Sequence, residues 1–150
     1  MLVLVLAPGC VISKTRLLDD KDGIADPYFT GRFTLTLGKT EALRVFLKGN
    51  RYLIEDERGV LWSFASLHRL QDDVLLLQKW NVRGVATEHY EYFLVRKTPS
   101  GFDASHEALC DGKPDTCKAE TRDDLRRVIE RQLPVFLADA TKRVELRRQQ

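Results

Sequence analysis

This chain of 150 residues lacks long hydrophobic runs and a surplus of one charge. No stretch reaches the roughly 20 apolar residues that a membrane-spanning helix needs. The 24 lysines and arginines nearly balance the 22 aspartates and glutamates, so the composition does not predict nucleic acid as a partner. The chain also lacks the low hydrophobicity of a disordered protein. Its hydrophobic residues make up 43% of the sequence, which excludes wholesale disorder and predicts one folded domain.

The motifs of common enzyme and cofactor sites are also missing. The sequence contains no Gly-x-Ser-x-Gly nucleophile elbow, no phosphate-binding glycine loop, no dinucleotide fingerprint and no His-Glu-x-x-His zinc motif. His106, Cys110 and Cys117 do not form the two close ligand pairs that structural zinc sites prefer. We therefore predict no cofactor and no metal. An enzyme would need a site assembled from scattered residues, with His89, Glu91 and His106 as the candidates.

The chain begins with an apolar run, Leu2 to Ala7, that is followed by Pro8-Gly9-Cys10. This arrangement resembles the end of a bacterial lipoprotein signal peptide, in which a short apolar stretch and small residues directly precede a cysteine. The resemblance implies that Cys10 is lipidated and becomes the new N-terminus. Two alternatives stay open: the run is a first β-strand of the domain, or Cys10 is incidental in a flexible terminus.

Three cysteines are an odd number, which normally leaves one thiol unpaired. If Cys10 carries a lipid, Cys110 and Cys117 remain, and the turn-forming residues between them can bring the two together as a disulfide. Closing a loop of about eight residues would stabilise the fold by about 2.5 kcal/mol. Disulfides persist outside the cytosol, so a bridge agrees with the periplasm. The alternative is two unpaired thiols in a cytosolic protein.

Hydrophobicity alternates with a period of two from residue 31 onwards, as in the stretch RFTLTL, and short turns separate six or more such stretches. The pattern predicts a mainly β fold with a C-terminal helix (α+β). Its antiparallel meander would form a barrel-like or sandwich sheet, with the helix packed on one face or end. The predicted organisation is a lipoprotein signal and anchor over 1–10, a polar tether over 11–30 and a single β-rich domain over 31–150.

Aromatic residues concentrate in the predicted strands. They most simply form part of the core, and the alternative is that they line a ligand cavity. The candidates for that lining are Trp62, Phe64, Trp80, Tyr90 and Tyr92.

The C-terminal third predicts a helix over about 121–133. Thr121 is a preferred helix cap, the two following aspartates favour the first turn, and a stripe of aliphatic residues recurs at helical spacing. Pro134 is expected to end or kink this helix. A second short helix and a final strand around the stretch VEL are expected after it.

The layout of the whole chain is similar to that of the small lipoproteins of unknown function in the envelope of Gram-negative bacteria. The resemblance implies a membrane-anchored protein that faces the periplasm. Such a protein would act as a binding or structural module, with an envelope protein or polymer as its partner. The alternatives are an envelope enzyme with a site near His89, Glu91 and His106, or a carrier of a small apolar ligand.

Overall fold

The computed structural model describes residues 11–13, 15–82, 90–105 and 119–150. These ranges contain nine strands, one α-helix and short 3-10 turns. The strands are β1 (Val11–Ser13), β2 (Gly31–Leu37), β3 (Lys39–Lys48), β4 (Arg51–Glu55), β5 (Leu61–Gln71), β6 (Val74–Asn81), β7 (Tyr90–Thr98), β8 (Gly101–Ser105) and β9 (Arg143–Arg148), and the helix is α1 (Arg122–Ala138). None of the helices in these ranges is long and apolar enough to cross a membrane.

The strands β2 to β9 form a closed eight-stranded barrel. Each strand pairs antiparallel with the next, and β9 returns to pair with β2, with Leu35 opposite Leu146. Any Cβ atom at Gly101 would collide with the carbonyl group of Leu146, so glycine permits the close approach of β8 and β9. The predicted β fold with a C-terminal helix is confirmed, and of the two predicted sheet arrangements the chain adopts the barrel.

The interior of the barrel is a packed apolar core. Alternate residues of each strand face inward, and one cluster of buried or partly buried side chains draws members from all eight barrel strands. Phe33 is 0% exposed, Leu67 1% and Tyr52 2%. Side chains of this size fill the centre of an eight-stranded barrel, as expected from its diameter.

Residues 27–29 close one end of the barrel. Phe29 is buried and lies edge-on to the ring of Phe102, with 5.3 Å between centroids. The hydroxyl group of Tyr28 donates a hydrogen bond to the carbonyl group of Thr98. The guanidinium group of Arg148 donates to the carbonyl group of Thr30 over 2.8 Å. The chain therefore seals this end before it enters β2.

Helix α1 packs on the outside of the barrel, against β6 and β7. Thr121 and Asp124 form a capping box at its start. The helix passes through Pro134 and ends at Ala138, beyond the predicted end at residue 133. Packing explains the extension: Phe136 is buried in the last turn, and Arg143 donates a 2.6 Å hydrogen bond to its carbonyl group. A 3-10 turn (Ala140–Lys142) then leads into β9, which contains the predicted final strand.

Candidate functional site

The predicted ligand-lining aromatics lie mainly on the outer side of the barrel wall. Phe64, Trp80 and Tyr90 are cross-strand neighbours on β5, β6 and β7, with ring centroids 5.8 and 6.0 Å apart. Tyr92 belongs to the cluster beneath α1, and Trp62 lies on β5 next to the bulge opposite β4. These rings therefore do not surround a common cavity inside the barrel.

Residues 16–20, the N-terminal segment, dock on the outer aromatic row of Phe64, Trp80 and Tyr90. The guanidinium groups of Arg16 and Arg51 lie 4.8 and 5.5 Å from the ring centroid of Trp80. The same two guanidinium groups bind the carboxylate of Asp20 at 3.4 and 3.0 Å. Cation–π contacts and ion pairs thus hold residues 16–20 against the barrel.

A buried polar network beneath the segment completes the docking. Gln78 is 0% exposed, accepts a 3.1 Å hydrogen bond from the amide of Leu18 and donates a 3.0 Å bond to its carbonyl group. The hydroxyl group of Tyr92 donates to Gln78 over 2.9 Å and accepts from the amide of Leu17 over 3.2 Å. Burial raises the pKa of Tyr92 to about 12, which keeps the phenol neutral as a donor. Residues 17 and 18, predicted to belong to a tether, are fixed on the barrel.

His68 lies buried in β5 at the margin of this network. Its Nε2 atom is 2.9 Å from the hydroxyl oxygen of Ser66. Burial lowers the pKa of His68 below its usual 6.5, and the carboxylates of Asp20, Asp22 and Asp19 oppose this shift without cancelling it. The folded protein therefore favours the neutral imidazole.

We expect the free energy of unfolding to fall as the pH drops below about 6.5. As the pH falls, the unfolded chain binds a proton at His68 at a higher pH than the folded chain does. His68 therefore lowers the free energy of unfolding only at acid pH. Denaturant unfolding between about pH 7 and 5 tests this, with His68→Gln as the control. The pH dependence should be shallower in the variant, and equal slopes in the two proteins would contradict the assignment.

An ion pair lies inside the barrel at the end away from Phe29. The Nζ atom of Lys79 is 3.3 Å from a carboxylate oxygen of Glu91, and their side chains are only 8% and 20% exposed. Lys79 is the register neighbour of Ala65 on β5 and of Glu91 on β7, and Ala65 belongs to the interior core. A charged pair that is largely withdrawn from solvent can orient a polar ligand, or each charge can simply neutralise the other.

Only one of the three predicted catalytic candidates can be placed. Glu91 belongs to the interior pair, whereas His89 and His106 lie outside the described residues, as do the three cysteines at positions 10, 110 and 117. No group of histidine, cysteine, aspartate and glutamate side chains within the described ranges could hold a metal ion.

Sequence reasoning missed both Gln78 and Lys79. The stretch VLLLQKW predicts a central strand, and within it Lys79 follows Leu75 and Leu77 at a spacing of two. That alternation places Lys79 on the same face as the two leucines, but it does not show which face is inward, because both faces of this strand are apolar.

Comparison with models of protein families, with curated proteins and with solved structures finds no match for this chain.

Proposed function

We propose that this chain is a binding module of the bacterial cell envelope, held at a membrane by a lipid on Cys10. The observation that carries the proposal is the filled barrel. Core side chains from every barrel strand occupy the centre of the barrel, and the outer aromatic row is engaged by the N-terminal segment. A domain built in this way offers its outer surface to a partner, and we propose an envelope protein as that partner.

Both the sequence before Cys10 and the position of strand β1 support the lipid anchor. The apolar run before Cys10 resembles a lipoprotein signal, and strand β1 begins directly after this cysteine. Because residues 16–20 are docked, a lipid on Cys10 would hold the barrel close to the membrane instead of at the end of a long tether. We further propose that the domain faces the periplasm and that Cys110 and Cys117 form a disulfide there.

We expect Cys10→Ser to move the protein from the membrane fraction to the soluble fraction of cells that process lipoproteins. The wild-type protein should lack residues 1–9 and carry the mass of its acyl chains. Intact-mass spectrometry of both fractions measures this. Cys110→Ser is the matched control, because it removes a cysteine that no apolar run precedes, and it should retain the lipid. A wild-type protein that keeps Met1 and carries no lipid would contradict the anchor.

A small-molecule role is the second candidate, and the interior pair of Lys79 and Glu91 favours it. Opposite charges held inside the barrel can orient a polar ligand, and Glu91 is also a predicted catalytic candidate. This role requires that the two side chains contact the ligand.

A further inference from the structure

The outer wall of β2 and β3 carries a groove to which the proposed function assigns no role. The groove has a volume of about 370 Å³, and its lining includes Pro27, Thr30, Arg32, Arg44 and Phe46. It lies where the chain leaves the 3-10 turn (Pro27–Phe29) and enters β2. A groove of this size lies within the range of ligand sites.

Two arginines face each other across this groove. Arg32 on β2 and Arg44 on β3 are direct register partners, so their side chains leave the same face of the sheet as nearest neighbours. Neither arginine forms an ion pair with any residue that the structure describes, although Glu55 is the register partner of Arg44 on β4. Like charges in directly opposite positions destabilise a sheet. An anion between the two guanidinium groups would relieve that repulsion.

An exposed aromatic ring lies beside the arginine pair. Phe46 is 39% exposed, and the guanidinium group of Arg44 lies 5.0 Å from the centroid of its ring. Aromatic residues and arginine are the side chains most enriched at the centres of protein–protein interfaces. The groove therefore combines two cations with an apolar surface, and a fitting ligand needs both acidic and apolar groups.

The groove lies on the side of the barrel away from the proposed anchor. Strand β7, which pairs with β1 next to Cys10, is the fourth strand from β3 in either direction around the barrel. Helix α1 packs on β6 and β7, also away from β3. A lipid on Cys10 would consequently leave the groove pointing away from its own membrane, towards partners in the surrounding space.

The basic surface around the groove is small. Lys48 follows Phe46 on the same face of β3, whereas Arg147 on β9 has Glu145 within 3.5 Å, and the whole chain carries a net charge of only +2. Binding a phosphate polymer requires an extended basic track, which two arginines and one lysine do not provide. Two neighbouring guanidinium groups match two carboxylates of a short peptide, since arginine binds carboxylate with paired hydrogen bonds.

We propose that this groove binds a short acidic segment of a partner protein, with the carboxylates on Arg32 and Arg44 and an aromatic side chain against Phe46. This inference names the binding surface and the partner chemistry of the proposed binding module, and it rests on that proposal.

Fluorescence anisotropy of the full chain tests the inference with a labelled peptide of sequence Glu-Phe-Glu-Asp-Phe-Glu. Its matched amide, Gln-Phe-Gln-Asn-Phe-Gln, should bind at least about tenfold more weakly, and so should the acidic peptide to R32Q/R44Q. The control variant R58Q/R126Q loses the same charge at two exposed arginines elsewhere and should bind as the wild type does. R32Q/R44Q should unfold close to the wild-type temperature, because losing the repulsion offsets losing the contact of Arg44 with Phe46.

Equal affinity of R32Q/R44Q and the wild type would overturn the inference, as would equal affinity for the two peptides or no binding up to about 1 mM. Arginine-dependent binding of inorganic phosphate or of phosphatidylglycerol vesicles, with none of the acidic peptide, would overturn it in favour of a phosphate ligand. Peptide binding does not depend on the lipid, so loss of binding with Cys10 still lipidated rejects the groove alone. If the wild-type protein from cells that process lipoproteins binds the peptide but carries no lipid, the anchor alone is rejected.

Discussion

Replacing Lys79 with methionine is expected to lower the free energy of unfolding by about 3 kcal/mol. The side chain of Lys79 is 8% exposed and its ammonium group pairs with Glu91 inside the barrel. Methionine retains most of the volume but leaves the carboxylate of Glu91, which is only 20% exposed, without its cation. Urea denaturation of both proteins at neutral pH measures the difference.

The double variant Lys79→Met/Glu91→Met should recover most of the lost stability, because it removes the unpaired charge as well. Arg126→Met is the control: it breaks an ion pair with Asp123 whose members are 70% and 75% exposed, and it should cost less than about 1 kcal/mol. A double variant as unstable as the single variant would show that packing, and not the unpaired charge, causes the loss. If the pair served a ligand, the double variant would bind that ligand less tightly despite its recovered stability.

Replacing Gln78 with leucine is expected to release the N-terminal segment and to cost about 3 kcal/mol of unfolding free energy. The substitution leaves the amide and carbonyl groups of Leu18 and the hydroxyl group of Tyr92 without their partner. Each buried polar group without a partner costs about 1–3 kcal/mol, and undocking the segment lets water satisfy these groups. Hydrogen exchange should therefore accelerate at the amides of Leu17 and Leu18 more than in the interior strands.

Tyr92→Phe provides a graded comparison, because it removes only the hydroxyl group that contacts Gln78 and the amide of Leu17. We expect this change to lower the free energy of unfolding by about 1–2 kcal/mol, which is less than for Gln78→Leu. Uniform acceleration of exchange throughout the barrel in Gln78→Leu would contradict the separate docking of the segment. It would show that the segment and the barrel unfold as one unit.

The strand pattern was predictable because period-two alternation is a local property of the sequence. The closure of the sheet was not, since it depends on β9 pairing with β2 from the far end of the chain. Thr121 marked the start of α1 through local capping chemistry, and the prediction was close. Its end was missed because Pro134 disfavours a helix locally, whereas the burial of Phe136 holds the last turn through tertiary packing.

The side of the wall on which the aromatics lie could not be read from alternation alone. Both faces of β6 are apolar: Leu75 faces the interior, and Val74 and Leu76 face α1. A strand covered on both sides gives no polar face to mark the outside. For the same reason, the sequence does not show whether Phe64 and Trp80 line a cavity or lie on the outer face. The closed barrel places them on the outer face. The pairing of Arg32 with Arg44 depends on where the β2–β3 hairpin turns, because every register pair of these two strands is symmetric about Gly38.

Amide chemical-shift mapping of the full chain with the acidic peptide tests the account most directly, since it asks whether the outer wall or the interior binds. We expect chemical-shift changes concentrated at residues 30–32 and 44–47, with the shifts at 77–79 and 91–93 unchanged. Changes concentrated around Lys79 and Glu91 would contradict it and would make the interior of the barrel the binding site.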